Sequence, residues 1–314
     1  MERDFHYNII YSIARLTQCN EPEIIAHASQ FADDNSERWF GEEGAEIPFP
    51  EKIPYSTGGH YCPIMTQSMS PLSVDPYIQK FVYVPFHFLP GNDMTISVKG
   101  KTNPLSTTPN SQNAQNLLMK ALQSNDPYRL GIALHTFADT WSHQNFTGIQ
   151  EDWNSVYPWY NVKKYLVPNI GHAEAGHSPD VISEIWTDHR LDVGMRQIEN
   201  KTRAIDAVKE IYSTLRTYTG KGPAWNDVKK GYTDINSAVD FDARIDAISN
   251  FVQNQVKEAV PAYDNNTWIN DALQKNGASI EFKNEITLKG THWYKFNQAA
   301  KKQLTIVLGM IENL

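Results

Sequence analysis

The segment His135-Thr-Phe-Ala-Asp139-Thr-Trp-Ser-His143 constrains this chain more than any other. Steps of four residues advance about 400° on an α-helix, a drift of about 40°, so His135, Asp139 and His143 share one edge. The neighbouring face holds Leu130, Leu134, Phe137, Ala138 and Trp141. It predicts a core-facing helix from Pro127 to about Asn145, with Asp126 as cap and Pro127 at the first position. Two imidazoles and a carboxylate on one edge suit zinc, and a carboxylate between two histidines can bridge two ions. The alternative is a solvated polar face.

Four other places supply the same chemistry. Asp4-Phe-His6 opens a first helix, Phe5 to Leu16, where the alternative is a helix cap and a surface histidine. Asp33-Asp34 closes a second helix, Asn20 to Asp34. Two carboxylates there oppose the helix dipole at some tenths to about 1 kcal/mol each, which invites a cation. His87 lies in an apolar run, Val84-Pro-Phe-His-Phe-Leu, where a core histidine is the alternative. The loop Gly171-His172-Ala-Glu174-Ala-Gly-His177-Ser-Pro-Asp180 can fold around one ion, or be a hydrophilic turn.

Composition narrows the classes. Ten histidines stand against two cysteines, Cys19 and Cys62, too few for a disulfide framework or a thiolate zinc site. The chain of 314 residues has 28 Lys+Arg and 36 Asp+Glu, a net charge of −8. That argues against a large phosphate-gripping nucleic-acid surface and against a stable nucleic-acid complex. Apolar runs such as Thr305 to Ile311 are far shorter than the roughly 20 residues of a membrane span. The start, Met-Glu-Arg-Asp-Phe-His, has no signal-peptide core, so a cytoplasmic protein, or one exported by a signal-independent route, is expected.

The remaining pattern is mainly α with long loops. Residues 41–79 and 91–112 read as irregular, and Phe81 to Leu89 as a short aromatic run. Helices are expected over Asn113 to Gln123, Ile182 to Tyr218, Val239 to Val260 and Trp293 to Leu314, with a short hairpin over Ala278 to Leu288. No linker separates domains. Residues 1–190 are expected to form a metal-binding catalytic region, with the helical residues 191–314 packed on it.

The order of these acid and histidine groups resembles the zinc-dependent phospholipase C and single-strand-specific nuclease superfamily, and most closely an uncharacterised bacterial branch of it. The phrases that carry the likeness are Asp4-Phe-His6-Tyr, Ala28-Ser-Gln-Phe-Ala-Asp33-Asp34, Leu134 to Gly148 and Ile170 to Asp180. The resemblance covers roughly residues 1–190. It implies a multi-helix domain with two to three zinc ions in a cleft. Asp33, His87, His135 and Asp139 would hold one ion, with Asp34 beside them. Asp139 would bridge to a second ion held by His6. His143 and His172 would hold a third with one acid or imidazole of the following loop. Glu174, His177 and Asp180 compete for that place, and Asp180 or His177 is favoured. Secreted members use the amino group of a processed N-terminal Trp as a ligand, so Asp4 is expected to substitute for it.

The expected chemistry follows from zinc, which lowers the pKa of a bound water to around 7 and makes hydroxide available to attack phosphorus. Asp33 is the candidate to orient or deprotonate that water, by analogy. Trp141, Trp153, Tyr157, Trp159, Tyr160 and Trp186 are candidates for an aromatic wall against an acyl chain, a choline-like cation or a base, with core packing as the alternative. A phospholipase C type phosphodiesterase is the leading expectation, with a phospholipid substrate and transient contact with a membrane surface. A nuclease of the same superfamily and a non-catalytic, metal-stabilised binding protein are the alternatives.

Overall fold

The structure, a computed structural model, describes residues 1–36, 38–40, 46–48, 53–54, 56–58, 60–68, 74–92, 98–157, 167–277 and 279–312. Among these the architecture is mainly α, with small two-stranded sheets.

The chain enters through a wide π-type turn, Asp4–Ile9, that runs into α1, Ile10–Leu16. Every side chain from Asp4 to Ala14 is buried. Arg3, not Asp4, stands at the N-cap. Helix α2, Pro22–Asp34, starts after Glu21 at φ 53 rather than after Asn20. Pro22 bars the preceding residue from right-handed helix, which moves the boundary. Two short antiparallel pairs follow, β1 (Arg38–Phe40) with β2 (Glu46–Pro48), and β3 (Ile53–Pro54) with β4 (His60–Tyr61).

The aromatic run before Pro90 is helical instead. Helix α3, Pro76–Ile78, passes through a second π-type turn, Gln79–Tyr83, into α4, Val84–Phe86. Pro85 and the β-branched and aromatic neighbours argue locally against helix. Burial of Val82, Tyr83, Val84 and Phe86 overrides that weak preference. The helix that follows, Gln112–Gln123 (α5), is capped by Ser111, whose hydroxyl oxygen accepts from the Ala114 N–H.

Helix α6, Pro127–Ser142, is capped by Asp126, whose carboxylate accepts from the Tyr128 and Arg129 N–H groups, as the sequence predicts. The region 182–199, expected to be helical, is instead β5 (Ile185–Thr187) paired with β6 (Gln197–Glu199). Trp186 and Ile198 face each other and are buried while their neighbours are exposed, a two-residue period hidden inside a longer helical one. Helix α7, Asn200–Thr219, ends at Gly220 with φ 67. Then come α8 (Trp225–Asn236), α9 (Phe241–Val256, capped by Asp240) and α10 (Thr267–Ala272). The hairpin β7 (Leu273–Asn276) and β8 (Ser279–Phe282) precedes α11 (Glu285–Gly290) and α12 (His292–Ile311).

One buried apolar cluster joins Ile13, Leu134 and Phe137 to Ile211, Leu215, Ile248, Val252 and Val307, so both halves of the chain share it. Each such side chain contributes about 1.5–3 kcal/mol on burial. Helices α2 and α6 make the most extensive contact. Gly131 permits it: a Cβ there would stand 2.4 Å from the Ile25 carbonyl oxygen and 2.6 Å from the Ala28 Cβ. Gly131 is one turn before His135 on the same edge, so this close approach brings the end of α2 to the edge of α6 that carries His135 and Asp139. No described helix is long and apolar enough to cross a membrane.

Candidate metal centre

Asp33, His87, His135 and Asp139 meet at one point. His135 Nε2 lies 3.1 Å from His87 Nδ1 and 3.2 Å from Asp139 Oδ2. His87 Nδ1 is 3.3 Å from the same oxygen. Asp33 Oδ1 stands 3.8 Å from His87 Nδ1 and 3.7 Å from His135 Nε2. Ligands 2.0–2.1 Å from a tetrahedral ion are about 3.3–3.4 Å from one another. The observed separations bracket that value.

The other Asp139 oxygen, Oδ1, faces a second group. His6 Nε2 is 3.1 Å away and the Met1 amine 2.8 Å away. His6, Asp33 and His135 also converge closely enough to hold an ion. A third group lies beyond: Asp180 Oδ1 is 3.0 Å from His143 Nε2, and Asp180 Oδ2 is 3.2 Å from His172 Nε2. The Met1 amine is 3.0 Å from Asp180 Oδ1.

Backbone carbonyls set the tautomers of three histidines. His87 Nε2 donates to the Thr66 carbonyl at 2.7 Å. His143 Nδ1 donates to the His87 carbonyl at 2.9 Å, and His172 Nδ1 to the Gly176 carbonyl at 2.8 Å. A carbonyl only accepts, so each of those nitrogens carries hydrogen. In the neutral ring the other nitrogen presents a lone pair, and in all three cases it points at a carboxylate. Lone pair against carboxylate is repulsive unless a cation lies between them. A ligating imidazole tied at its far nitrogen to a carbonyl is the usual support of a metal-binding histidine. The donor set therefore fits a divalent ion.

The electrostatics agree. Burial holds the His172 ring below the usual imidazole range, and pushes His6 down to about 4, helped by His135 and the Met1 ammonium. Both rings are neutral and ready to ligate near pH 7. His87 is raised: burial opposes, but Asp139 and Asp33 outweigh it. Burial also opposes ionisation of Asp139 and Asp180. The surrounding histidines and the Met1 ammonium win, and hold both carboxyls well below their ordinary range.

Neighbouring elements fix these positions. The Thr66 hydroxyl donates to the Ala32 carbonyl at 2.7 Å, which wraps residues 64–68 around the end of α2 and aims the Thr66 carbonyl at His87. Gln303 of α12 donates to the Pro85 carbonyl at 2.9 Å, and Thr136 of α6 to the Phe86 carbonyl at 2.7 Å. These donors satisfy the open carbonyls of α4 just before His87. The Phe88 ring stacks on His143 with centroids 4.5 Å apart.

Several expected residues are elsewhere. Asp4 is not a ligand: it is buried in an ion pair with Arg244 and caps the Phe5 N–H. The Met1 amine lies where Asp4 was expected. Asp34 borders the cleft but turns to the Tyr263 hydroxyl, 2.5 Å away, and to Gln30. Burial raises its carboxyl, with Asp33 adding to that. In the loop, Asp180 is the acid that meets His143 and His172. His177 is exposed on the rim, and Glu174 is buried, accepting from Ser155 and the Tyr157 N–H. Trp141, Trp153 and Trp186 are buried in the core. Trp141 packs on Phe137, the Trp153 indole donates to the Asn145 carbonyl, and that of Trp186 donates to Asn200. None of the three borders the cleft, nor does Tyr157. Trp159 and Tyr160 lie outside the described residues.

A cleft of about 1200 Å³ opens over the three groups. Its lining includes the apolar side chains of Phe88, Ile170 and Phe241 and the ring of Tyr263. The last two come from a part of the sequence that carries no signal for the site. No curated protein and no solved structure matches this chain. One family model matches residues 1–311, and by it the chain belongs to the family described as "Family of unknown function (DUF6765)".

Proposed function

We propose that this protein is a zinc-dependent phosphodiester hydrolase of phospholipase C type, holding two to three ions. The observation that carries the reading is the set of carbonyl-tied histidines, His87, His143 and His172, whose free nitrogens all face carboxylates. Bound zinc supplies a Lewis acid that polarises a phosphoryl oxygen and brings the pKa of a water to around 7. The chain would do the rest. Asp139, with an oxygen to each side, spans two of the groups. Asp33 is partly open to the cleft, with Gln67 3.4 Å from its Oδ1, and so can take and pass on a proton. Phe88, Ile170, Phe241 and Tyr263 line the cleft and would offer apolar surface to the substrate.

The cleft border favours a lipid or small diester over a polymer. Besides the ligands it carries Glu2, Asp34 and Asp264, against the guanidinium of Arg3. A polyanion gains little from such a border.

The test is metal analysis of the purified protein, followed by incubation with phosphatidylcholine vesicles and with single-stranded DNA, each with and without chelator. The expected result is at least one equivalent of zinc and chelator-sensitive release of phosphocholine. Release from DNA alone would move the reading to a nuclease. Less than one equivalent of transition metal would sink it. An Asp33→Asn variant is expected to lose roughly 10²–10⁴-fold in kcat, the span of general acid–base catalysis.

A further inference from the structure

The N-terminal residues of a domain are poorly ordered unless something ties them down. Here the Met1 amine and His6 both reach Asp139 Oδ1, so their placement needs an anchor. That anchor lies between them in sequence and is held from far along the chain. Arg244 Nη1 pairs with Asp4 Oδ2 at 2.5 Å, and both side chains are about 1% exposed. Arg244 Nη2 donates to the Ala238 carbonyl at 3.3 Å, which fixes the guanidinium from behind. Asp4 Oδ1 accepts from the Phe5 N–H at 2.8 Å, so the carboxylate also sets the start of the π-type turn. One turn of α9 away, Phe241 lies under the Arg3 guanidinium, 5.1 Å from ring centroid to carbon.

A buried ion pair is weak evidence for stability, because desolvation of both charges offsets their attraction. A pair in this place does something more specific: it fixes where the first six residues lie. We propose that Arg244 is a positioning residue for the metal centre, acting through Asp4 to hold His6 against Asp139. The proposal rests on the metal reading of the site. It makes α9, which supplies no ligand, a condition for the second ion.

Zinc titration by calorimetry, with cobalt absorption as a second readout, tests this on the full chain. The variants are Arg244→Met, Arg244→Lys and the double variant Asp4→Asn/Arg244→Met. The double variant leaves no lone buried charge, so it reports even if Arg244→Met alone fails to fold. Expected is a loss of about 10- to 100-fold in affinity for the ion that uses His6, the usual effect of removing a supporting partner. The ion at His87 and His135 should shift less than about 3-fold, on the same scale. Arg244→Lys, which keeps a charge for Asp4, should recover most of the affinity. If the double variant binds every equivalent as the wild type does, the positioning role is wrong. It is equally wrong if all affinities fall together with the melting temperature. Wild-type protein that binds no zinc would bring down the metal reading itself, a distinguishable result.

Discussion

Two histidine environments in this fold share burial and differ in company. His27 sits on α2 among aromatic rings, stacked 4.0 Å from Trp268 and tilted against Tyr263 at 4.7 Å. His87 and His143 are also buried and His172 partly so, but each faces a carboxylate 3.0–3.3 Å away and is tied at its far nitrogen to a carbonyl. An aromatic cage stabilises a neutral ring through packing alone. A carboxylate in front and a carbonyl behind create a demand for positive charge. Burial by itself therefore says nothing about ligation; the partner on each ring nitrogen does.

The largest expected break of this contrast is Asp139→Ala. It removes both oxygens that the histidines and the Met1 amine share. Zinc affinity should fall by more than the roughly 100-fold seen for supporting residues, and hydrolysis should vanish. If the variant keeps its zinc by calorimetry, the carboxylate is not the hub of the site. Trp153→Ala should act on the other side of the contrast, costing about 3–5 kcal/mol in denaturant unfolding as a core truncation while leaving zinc stoichiometry intact. A raised KM at unchanged stability would return Trp153 to the cleft wall.

Gly131→Ala should cost about 1–3 kcal/mol by forcing α6 from α2. Because Asp33 rides on α2, zinc affinity should drop with it; unchanged affinity would mean the helix contact does not set the site. His27→Phe should have the smallest effect, below about 1.5 kcal/mol at neutral pH with full zinc binding. It does predict a pH signature. Burial, with His292 adding and Asp264 opposing, lowers His27 to about 3, against 6.5 in an unfolded chain. The unfolded state then binds more protons between those values. The stability His27 contributes is therefore complete above about pH 6.5 and is lost as the pH falls towards 3. Denaturant unfolding of His27→Phe should be less steep in pH over that window. Identical slopes would mean His27 carries no such shift.

The sequence made part of this legible. The four-residue spacing of His135, Asp139 and His143 survives any packing, because helix geometry alone puts them on one edge. Asp126 and Pro127 mark the start of α6 by local capping chemistry. What failed had the opposite character. Trp141, Trp153 and Trp186 lie near ligands in sequence, yet their rings turn into the core, where their area is best buried. Asp4 has the right chemistry and the right position, but Arg244, 240 residues away, takes it. The strands β5 and β6 were hidden because a two-residue period over three residues is too short to outweigh the helical pattern around it.

By itself the sequence determined the inventory: helices, mainly α content, and a set of histidines and carboxylates without useful thiols. Only the tertiary structure decided which of them meet. The choice of Asp180 over His177 and Glu174, the turn of Asp34 to Tyr263, and the place of the Met1 amine all depend on contacts between distant elements. The physical reason is one of range. Spacing along a helix fixes neighbours within about 12 Å, eight residues at 1.5 Å each. The partner on the far side of a ring nitrogen is set by how separate helices pack.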